Sequence, residues 1–316
     1  MSRIISVTAN TAIDFFIEVE GLCRQDNIQA RSSREFACGK GINVARGLAS
    51  LQTPVTCVGF VGRQSWQVFS ELISAGLNVD FTAVDGKTRT NITLSDAAER
   101  RETHIRTAGF CVSADDCRLL SAKLDDMLAA GDLLILSGSL PGGADDLYRS
   151  LIELCHAKGV MAFLDSSGNG LRTGLAAKPY LIKPNLPELE EIAGESLVDE
   201  QAIVAAARRI VEQGVDWVCV SRGDQGLVVV GREVSLAACV QSLPGDVVSH
   251  IGCGDALVAG LAAATLHGKP LEEVVKTAVS CATGNLFSSE PGGFSQSLQQ
   301  AIEAQVDIRS LAPLCC

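Results

Sequence analysis

Short runs rich in Val and Ile alternate along the chain with segments whose apolar residues recur at helical spacing. Nearly continuous apolar runs are typical of strands that are buried on both faces of a sheet. The runs cover residues 4–7, 55–61, 133–136, 160–164, 180–182, 215–220 and 227–230. The clearest helical segments cover residues 114–130, 145–158 and 200–213. This order predicts an α/β fold built on a doubly wound, mainly parallel sheet that is flanked by helices.

Two regions depart from this alternation, at about residues 12–36 and 88–106. They are richer in polar and charged residues, and apolar and polar residues alternate with a period of two, as in Asn-Ile-Thr-Leu-Ser at 91–95. Such alternation indicates strands with one face in water. We therefore expect a small antiparallel sheet, made of two insertions, that forms a lid beside one domain spanning residues 1–316.

The charge of the chain limits its partners. The 316 residues carry a formal net charge of −11 at pH 7, with no run of Lys or Arg. A nucleic acid or an anionic membrane surface is therefore not expected as a partner. The first ten residues contain one cation and a short, interrupted apolar run, which fits neither a signal peptide nor a spanning helix. A cytoplasmic location is the expectation.

Cysteine and histidine give little sign of a structural metal or of disulfides. The twelve cysteines are scattered through a long chain, none of them forms a Cys-x-x-Cys pair, and the four histidines are not at the i, i+4 spacing of a zinc helix. Reduced cysteines and no structural metal are therefore expected. The final pair, Cys315 and Cys316, is expected to be an exposed and inert tail.

The most informative local motif is the turn Gly252-Cys253-Gly254-Asp255, which is followed by a small and apolar segment with the pattern of a buried helix. A glycine-rich turn that opens a helix leaves several backbone N–H groups free to bind an anion. Asp255, in the first helical turn, is placed to accept a proton from a hydroxyl group. The alternative is that Asp255 only caps the helix.

A second glycine-rich turn, Ala-Cys-Gly-Lys-Gly-Ile-Asn-Val-Ala-Arg at 37–46, also leads into a predicted helix. The two turns, in this order and at this separation, resemble those of the PfkB (ribokinase-like) carbohydrate kinase family. Further agreement covers nearly the whole chain, at residues 10–14, 88–91, 137–141, 165–167, 183–185 with 188, and 221–223 with 226. The resemblance implies a kinase that uses ATP.

The resemblance also implies a set of substrate-binding residues, which are Asp14, Gly39, Lys40, Asn43, Arg89 and Ser139. In this set Asp14, Gly39 and Asn43 hold sugar hydroxyls, and the others lie near a substrate phosphate. The residue types suit these roles, because a carboxylate accepts hydroxyl donors and Arg binds phosphate through two N–H groups. Arg89 as a charge on the surface of the lid is the alternative.

A nucleotide-binding set is implied in the same way, consisting of Lys183, Asn185, Glu188, Ser221, Gly223 and Gly226. Asn185 and Glu188 would orient Mg²⁺ through water, since magnesium prefers a few carboxylate or amide oxygens and several waters. As alternatives, Asn185 is a helix cap and Lys183 a solvated strand end. Potassium occurs in the wider family, and the residues leave its presence here open.

Within the family, the sequences of the two turns and of the segment Ser-Gly-Ser-Leu-Pro at 137–141 are similar to those of the branch that phosphorylates sugar phosphates. Fructose-1-phosphate, converted to fructose-1,6-bisphosphate, is the favoured acceptor. Tagatose-6-phosphate, fructose-6-phosphate, a plain sugar and a nucleoside remain alternatives. An alternative that is not an enzyme is a sensor that binds a sugar phosphate without turnover. The resemblance further implies a homodimer formed through the β lid.

Four residues depart from the pattern of this branch, namely Thr11, Gln29, His250 and Cys253. Gln29 matters most, because an Arg that often approaches the sugar phosphate is missing, and Arg31 or Lys40 is the expected replacement. Cys253 is small enough to leave the turn open, and we expect an inert side chain, with oxidation sensitivity as the alternative.

Overall fold

The structure is a computed structural model of the chain, and it describes residues 2–22, 27–99 and 101–311. The prediction for Cys315 and Cys316 lies outside the described residues. In chain order the strands are β1 (Ile4–Thr8), β2 (Ala12–Val19), β3 (Ser32–Cys38), β4 (Val55–Gly62), β5 (Asn78–Val84), β6 (Arg89–Asp96), β7 (Arg101–Arg106), β8 (Leu133–Ser137), β9 (Met161–Asp165), β10 (Leu181–Ile182), β11 (Trp217–Ser221), β12 (Leu227–Val230), β13 (Ser235–Val240) and β14 (Val306–Ser310). The helices are α1 (Lys40–Ser50), α2 (Trp66–Ser74), α3 (Ala114–Met127), α4 (Leu147–Lys158), α5 (Gly168–Ala176), α6 (Leu186–Ala193), α7 (Glu200–Glu212), α8 (Cys253–Leu266), α9 (Leu271–Asn285) and α10 (Gln296–Glu303).

A ten-stranded sheet forms the centre of the molecule, in the order β14-β13-β12-β11-β10-β9-β8-β1-β4-β5. The seven strands from β11 to β5 are all parallel to their neighbours. Antiparallel pairing joins β12, β13 and β14 to the β11 edge. The predicted mainly parallel sheet is confirmed, and all seven apolar runs lie in its strands.

Helices cover both faces of this sheet, as a doubly wound fold requires. In β8, Leu134 and Leu136 pack in the cluster that contains buried residues of α3, α4 and α7. Their neighbours Leu133 and Ile135 point to the opposite cluster, with α1, α8 and α9. Each such fully buried side chain contributes about 1.5–3 kcal/mol relative to an exposed one. Burial on both faces explains why the sequence of these strands is continuously apolar.

The structure also contains elements that the sequence patterns did not indicate. Strands β5, β13 and β14 were not predicted, and β14 lies at an edge of the sheet with Asp307 and Arg309 in its short sequence. An edge strand has one open side, so its pattern is more polar. The helix predicted over 114–130 ends at Met127, where the ammonium group of Lys158 donates to the carbonyl of Leu128 at 3.1 Å.

The two insertions form a second sheet of four strands, in the order β3-β2-β6-β7, which we call the small sheet. Each insertion forms an antiparallel pair, β2 with β3 and β6 with β7, as the alternating pattern predicted. The insertions meet through β2 and β6, and this central pair is parallel. The sheet is therefore antiparallel within each insertion and parallel between them, because both strands leave the main sheet in the same direction.

The order of the main sheet determines where a ligand can bind. From β1 the chain proceeds to β4 and β5 on one side, and from β8 to β11 on the other. Ligands of open α/β sheets bind at such a reversal, beyond the carboxyl ends of the strands. Candidate residues follow the ends of β1, β8, β9, β10 and β11 directly, so this edge is the expected site.

In the described part of the chain no helix is long and apolar enough to cross a membrane.

Close packing of α8 against α9 gives a test of the core. A Cβ atom on Gly260 of α8 would lie 2.7 Å from the Cα of Ala278 and 2.8 Å from the carbonyl of Thr277. We expect Gly260→Ala to lower the free energy of unfolding by about 1–3 kcal/mol, because the added methyl group overpacks the interface. Urea denaturation measures this change.

Gly284→Ala in α9 is the matched control. There a Cβ atom would lie 3.4 Å from the nearest atom, a side-chain carbon of Phe294, which is ordinary contact. This variant is expected to be neutral or stabilising by up to about 1 kcal/mol, since Ala favours a helix over Gly. Equal effects of the two substitutions would contradict the packing described for α8 and α9.

Candidate active site

The turn before α8 has free backbone donors. Gly252 has φ of 91°, and a side chain there would also clash with the backbone of Gly292. Helix α8 begins at Cys253, and its first internal bond runs from the N–H of Ala256 to the carbonyl of Gly252 at 2.8 Å. Among the described residues, no group accepts a hydrogen bond from the N–H of residues 252–255. These N–H groups, at the positive end of the helix dipole, can therefore bind an anion.

Asp255 lies in the first turn of α8, on the side of the helix that contacts Asn43 of α1. Its side chain is buried, and the side-chain amide of Asn43 donates to its Oδ2 atom at 2.8 Å. Burial raises the pKa of Asp255 to about 6, and the charge of Asp165 adds to this, while Lys40, Asn43 and Lys183 act in the opposite direction. A carboxylate with a pKa near the working pH is suited to accept a proton.

Asp165 brings the two lysines together. This carboxylate, 1% exposed at the end of β9, lies 3.2 Å from the ammonium group of Lys40 and 3.1 Å from that of Lys183. Burial raises its pKa, but the two ammonium groups outweigh burial and hold the pKa of Asp165 below its ordinary value. Asp165 belongs to the segment 165–167 that carries the family resemblance, and no role was predicted for it. Its position directly after a predicted buried strand was the signal that it faces the site.

Both lysines lie near the turn before α8. The ammonium group of Lys183 is 3.8 Å from the point that a Cβ atom on Gly254 would occupy, and its side chain is buried. The buried position excludes the alternative of Lys183 as a solvated strand end. Asp165 raises the pKa of Lys40 above its ordinary value, and Asp255 and Glu188 contribute to this rise. The edge of the sheet therefore carries two fixed positive charges.

A cavity of about 290 Å³ lies between the small sheet and the turn before α8. Asp14 of β2 lines it together with Phe16, Arg34 and Thr93. The side-chain amide of Asn91 donates to Asp14 at 2.8 Å, which fixes this carboxylate in the cavity wall. We call this space the sugar-side cavity.

Arg89 is a partly buried guanidinium with few partners. Its Nη2 atom donates to the carbonyl of Asn10 at 3.2 Å, and its buried Nε atom has no partner among the described residues. Burial lowers the pKa of Arg89. The side chain of Asn10 in turn donates to the hydroxyl of Ser139 at 3.3 Å. A partly buried guanidinium that pairs with no described carboxylate favours an anionic ligand, because burying an unpaired charge is costly.

The other predicted substrate residues lie at the start of α1. Gly39 is buried at the N-cap position, and its carbonyl accepts from the N–H of Asn43 at 2.9 Å. Lys40 and Asn43 are one turn apart on α1 and face Asp165 and Asp255 respectively. The structure thus brings the N-terminal and C-terminal glycine turns into one cleft.

A second cavity, of about 500 Å³, lies on the opposite side of the turn before α8, and we call it the nucleotide-side cavity. Gly223 and Gly226 line it, as do His250 and Cys253. Ser221, at the end of β11, adjoins these glycines, and its N–H donates to the carbonyl of Pro184 at 3.0 Å. Residues 247–253 contribute to the walls of both cavities, so this segment separates them.

Asn185 and Glu188 form a capping box at the start of α6. The Asn185 side chain accepts from the N–H of Glu188 at 2.8 Å, and the Glu188 side chain accepts from the N–H of Asn185 at 2.9 Å. The cap that was the alternative for Asn185 is therefore present. The second carboxylate oxygen of Glu188 accepts from no other described residue, so it fits a hydrated Mg²⁺. No cluster of three or more His, Cys, Asp or Glu suited to a metal occurs within 2–22, 27–99 and 101–311.

The departures from the family pattern have different surroundings. Gln29 is exposed, and Arg31 pairs with Glu20 and does not line the sugar-side cavity, which Arg34 does. The position of Arg31 therefore does not support the expectation that it replaces the missing Arg near the sugar phosphate.

The remaining departures lie closer to the two glycine turns. Thr11 is buried, and its hydroxyl donates to the carbonyl of Phe60 at 2.7 Å. His250 is exposed beside the nucleotide-side cavity. Burial raises the pKa of the Cys253 thiol to about 11, with a further rise from Asp255. The thiol is thus protonated at neutral pH, which favours the inert role expected for it.

Comparison with known proteins places this geometry in a family. The family model described as pfkB family carbohydrate kinase matches residues 2–295. The 1-phosphofructokinase of Rhodobacter capsulatus is 32% identical over 315 residues, covering 99% of each chain. The 1-phosphofructokinase of Xanthomonas campestris pv. campestris is 36% identical over 293 residues, covering 90% of this chain and 92% of that protein.

Solved structures agree in fold over almost the full length. Phosphofructokinase-2 from Escherichia coli, in complex with potassium, has a TM-score of 0.90 at 26% identity, covering 96% of this chain and 99% of that chain. A tetrameric inhibited form of the same enzyme has a TM-score of 0.88 at the same identity and coverage. Because the family model spans most of the chain and relatives above 30% identity cover nearly all of it, the chain belongs to the pfkB family of carbohydrate kinases.

Proposed function

We propose that this chain transfers the terminal phosphoryl group of ATP to fructose-1-phosphate and forms fructose-1,6-bisphosphate. The observation that carries the proposal is the turn before α8, because residues of the segment 247–253 line both cavities and the N–H groups of residues 252–255 are free of described acceptors, with the buried carboxylate of Asp255 in the helical turn that follows. An acceptor on one side and a donor on the other would meet at this turn. The names of two relatives above 30% identity support the same reaction.

The acceptor would bind in the sugar-side cavity. Asp14 accepts hydrogen bonds from sugar hydroxyls, and Gly39 and Asn43 bind the hydroxyls nearest to Asp255. Arg89 holds the phosphate that the substrate already carries, with Ser139 beside it. The unpaired, buried Nε atom of Arg89 supports this role, since a phosphate oxygen would supply the missing acceptor.

Asp255 would act as the general base. It lies at the N-terminus of α8, where the reacting hydroxyl and the phosphoryl group meet. With a pKa of about 6 the carboxylate is mostly ionised at neutral pH and can still hold a proton during transfer. The proton of the acceptor hydroxyl moves to Asp255 as the oxygen attacks phosphorus in line with the leaving oxygen of ADP.

The remaining residues would neutralise charge and hold the nucleotide. The N–H groups of Gly252, Cys253 and Gly254 donate to the phosphoryl oxygens, with Lys40 and Lys183 as adjacent cations. Ser221, Gly223 and Gly226 line the site of the nucleotide. Magnesium, oriented through water by Asn185 and Glu188, would offset the charge of the ATP phosphates. Potassium dependence stays a prediction for this chain.

The small sheet would serve as lid and as dimer interface. Phe15, Ile17, Ile92 and Leu94 share one of its faces and are half-buried, and Ile105 on the same face is 49% exposed. An apolar face of this kind favours pairing with a second copy. We therefore propose a homodimer. A molecular mass of a single chain in analytical ultracentrifugation would contradict it.

A substrate panel tests the proposed acceptor. We expect the highest kcat/KM for ADP release with fructose-1-phosphate, compared with fructose-6-phosphate, tagatose-6-phosphate, fructose, ribose and adenosine. Arg89 favours the phosphorylated acceptors, because a plain sugar leaves its guanidinium unpaired. Faster turnover of a plain sugar would overturn the proposal, and tight binding of a sugar phosphate without ADP release would favour a sensor.

The role of Asp255 is tested by substitution and by pH. Asp255→Asn is expected to lower kcat by about 10²-fold to 10⁴-fold, which is typical for loss of a general base. In the unchanged protein, kcat should rise with pH through about 6, because only the ionised carboxylate accepts the proton. Steady-state kinetics across the acid range measure both effects.

Asp216→Asn is the control, since Asp216 is exposed and precedes β11 at the opposite edge of the sheet. It should leave both kcat and the pH profile unchanged. An Asp255→Asn enzyme with full turnover, or a rate that is flat across the acid range, would rule out the proposed base.

Binding of the substrate phosphate by Arg89 is tested by the effect of its substitution on KM for the sugar phosphate. Arg89→Met keeps an apolar side chain of similar length and removes the charge. It should raise KM for the sugar phosphate by about 10-fold to 100-fold, the worth of a charged hydrogen bond, and leave KM for ATP nearly unchanged. Arg101→Met on the same sheet, where the side chain is 78% exposed, is the control. An unchanged KM for the sugar phosphate in Arg89→Met would exclude phosphate binding by this residue.

A further inference from the structure

Arg46 of α1 is a nearly buried guanidinium next to the proposed base. Its side chain is 11% exposed and lies one helical turn after Asn43. The Nη1 atom donates to Oδ1 of Asn43 at 2.9 Å, and the Nη2 atom donates to the carbonyl of Ala37 at 2.8 Å. The Nε atom lies 3.2 Å from a carboxylate oxygen of Glu290. Arg46 is thus held by three groups and does not contact Asp255 itself.

The two ends of the Asn43 side chain have different partners. Its oxygen accepts from Arg46 and lies 3.6 Å from the thiol of Cys38, and its NH₂ group donates to Asp255 at 2.8 Å. A guanidinium has donors only, so it can bond to the oxygen of an amide and not to the NH₂ group. With Arg46 in place, the amide has one acceptable orientation.

We propose that Arg46 is a positioning residue that orients the amide of Asn43, so that the NH₂ group and not the oxygen faces Asp255. The inference rests on the proposed role of Asp255 as general base. It assigns a function in catalysis to a side chain that lines neither cavity.

The orientation of the amide decides which form of Asp255 is stabilised. An N–H donor favours the ionised carboxylate, whereas an amide oxygen in the same place would favour the protonated acid. Burial and Asp165 raise the pKa of Asp255, while Lys40, Asn43 and Lys183 lower it. These opposing contributions leave Asp255 with a pKa of about 6, so the loss of one donor changes the ionised fraction near neutral pH.

Removal of the guanidinium is the direct test. Arg46→Met should shift the acid limb of the kcat profile to higher pH by about one unit, the worth of one hydrogen bond to a charged group. Arg46→Lys retains a donor for the Asn43 oxygen and should restore part of the shift. Asn43→Ala should produce a similar shift, and the double variant should add little to it, because both act through one bond.

Ser50→Ala is the matched control in the same helix. The Ser50 hydroxyl donates to the backbone carbonyl of Arg46 at 3.1 Å and accepts from the N–H of Phe294 at 3.2 Å. This variant loses local hydrogen bonds without touching the guanidinium. It should lower stability in urea while the pH profile stays in place. An equal shift in Ser50→Ala would reduce Arg46 to a structural role and overturn the proposal.

A measurement that needs no turnover separates the two proposals. Carboxyl ¹³C NMR of Asp-labelled protein, with Asp255→Asn to assign the signal, reports the titration of Asp255 directly. The signal should titrate at higher pH in Arg46→Met than in the unchanged protein. An unchanged midpoint overturns the role of Arg46 even if the kinase is active. Absence of kinase activity with every acceptor overturns the proposed function, and the titration still decides on Arg46.

Discussion

The carboxylate of Asp165 is 1% exposed and lies within 3.2 Å of the ammonium groups of both Lys40 and Lys183. An isolated buried charge costs several kcal/mol, so Asp165 and the buried Lys183 depend on each other to remain ionised, while the partly exposed Lys40 adds a second cation. Two lysines and the two carboxylates of Asp165 and Asp255 form a nearly neutral cluster at the sheet edge. The lysines keep Asp165 ionised, and the charge of Asp165 contributes to the raised pKa of Asp255. One ion-pair arrangement therefore sets both the positions of the two ammonium groups and the proton affinity of the proposed base.

The close approach of α1 and α8 brings the two glycine turns together. A Cβ atom on Gly47 would lie 2.7 Å from the Cβ of Ala259, so the two helix backbones can pack closely only because the residues between them are small. Asn43 consequently reaches Asp255 across 212 positions of sequence. The free N–H groups before α8 belong to the segment whose residues line the two cavities. Acceptor and nucleotide would then approach one turn from opposite sides, which is the arrangement that in-line transfer requires.

Local patterns in the sequence predicted a large part of this structure. The apolar runs identified seven strands of the main sheet, since burial on both faces leaves few polar positions in them. The alternating insertions identified the small sheet, and both glycine turns open helices as expected. Strands β5 and β14 were missed because they are edge strands with polar residues, and β13 was missed although it is an interior and mostly buried strand. The parallel pairing of β2 with β6 was also missed, since pairing between distant segments leaves no local pattern. Asp165, Asn10 and Arg46 had no assigned role, because each acts through a partner that is remote in the chain.

The amino-acid pattern alone was enough for the fold class, and it indicated the glycine turn before α8 and Asp255 as candidates, because periodicity, glycine and helix capping act over a few neighbouring residues. The tertiary structure added the contacts between residues that are distant in sequence. These are the two lysines on Asp165, the hydrogen bond from Arg89 to Asn10, and the connection from Arg46 through Asn43 to Asp255. These contacts depend on strand order and on the distance between packed helices. The charge state and orientation of the site follow from them, since both are set by groups that only folding brings within hydrogen-bonding distance.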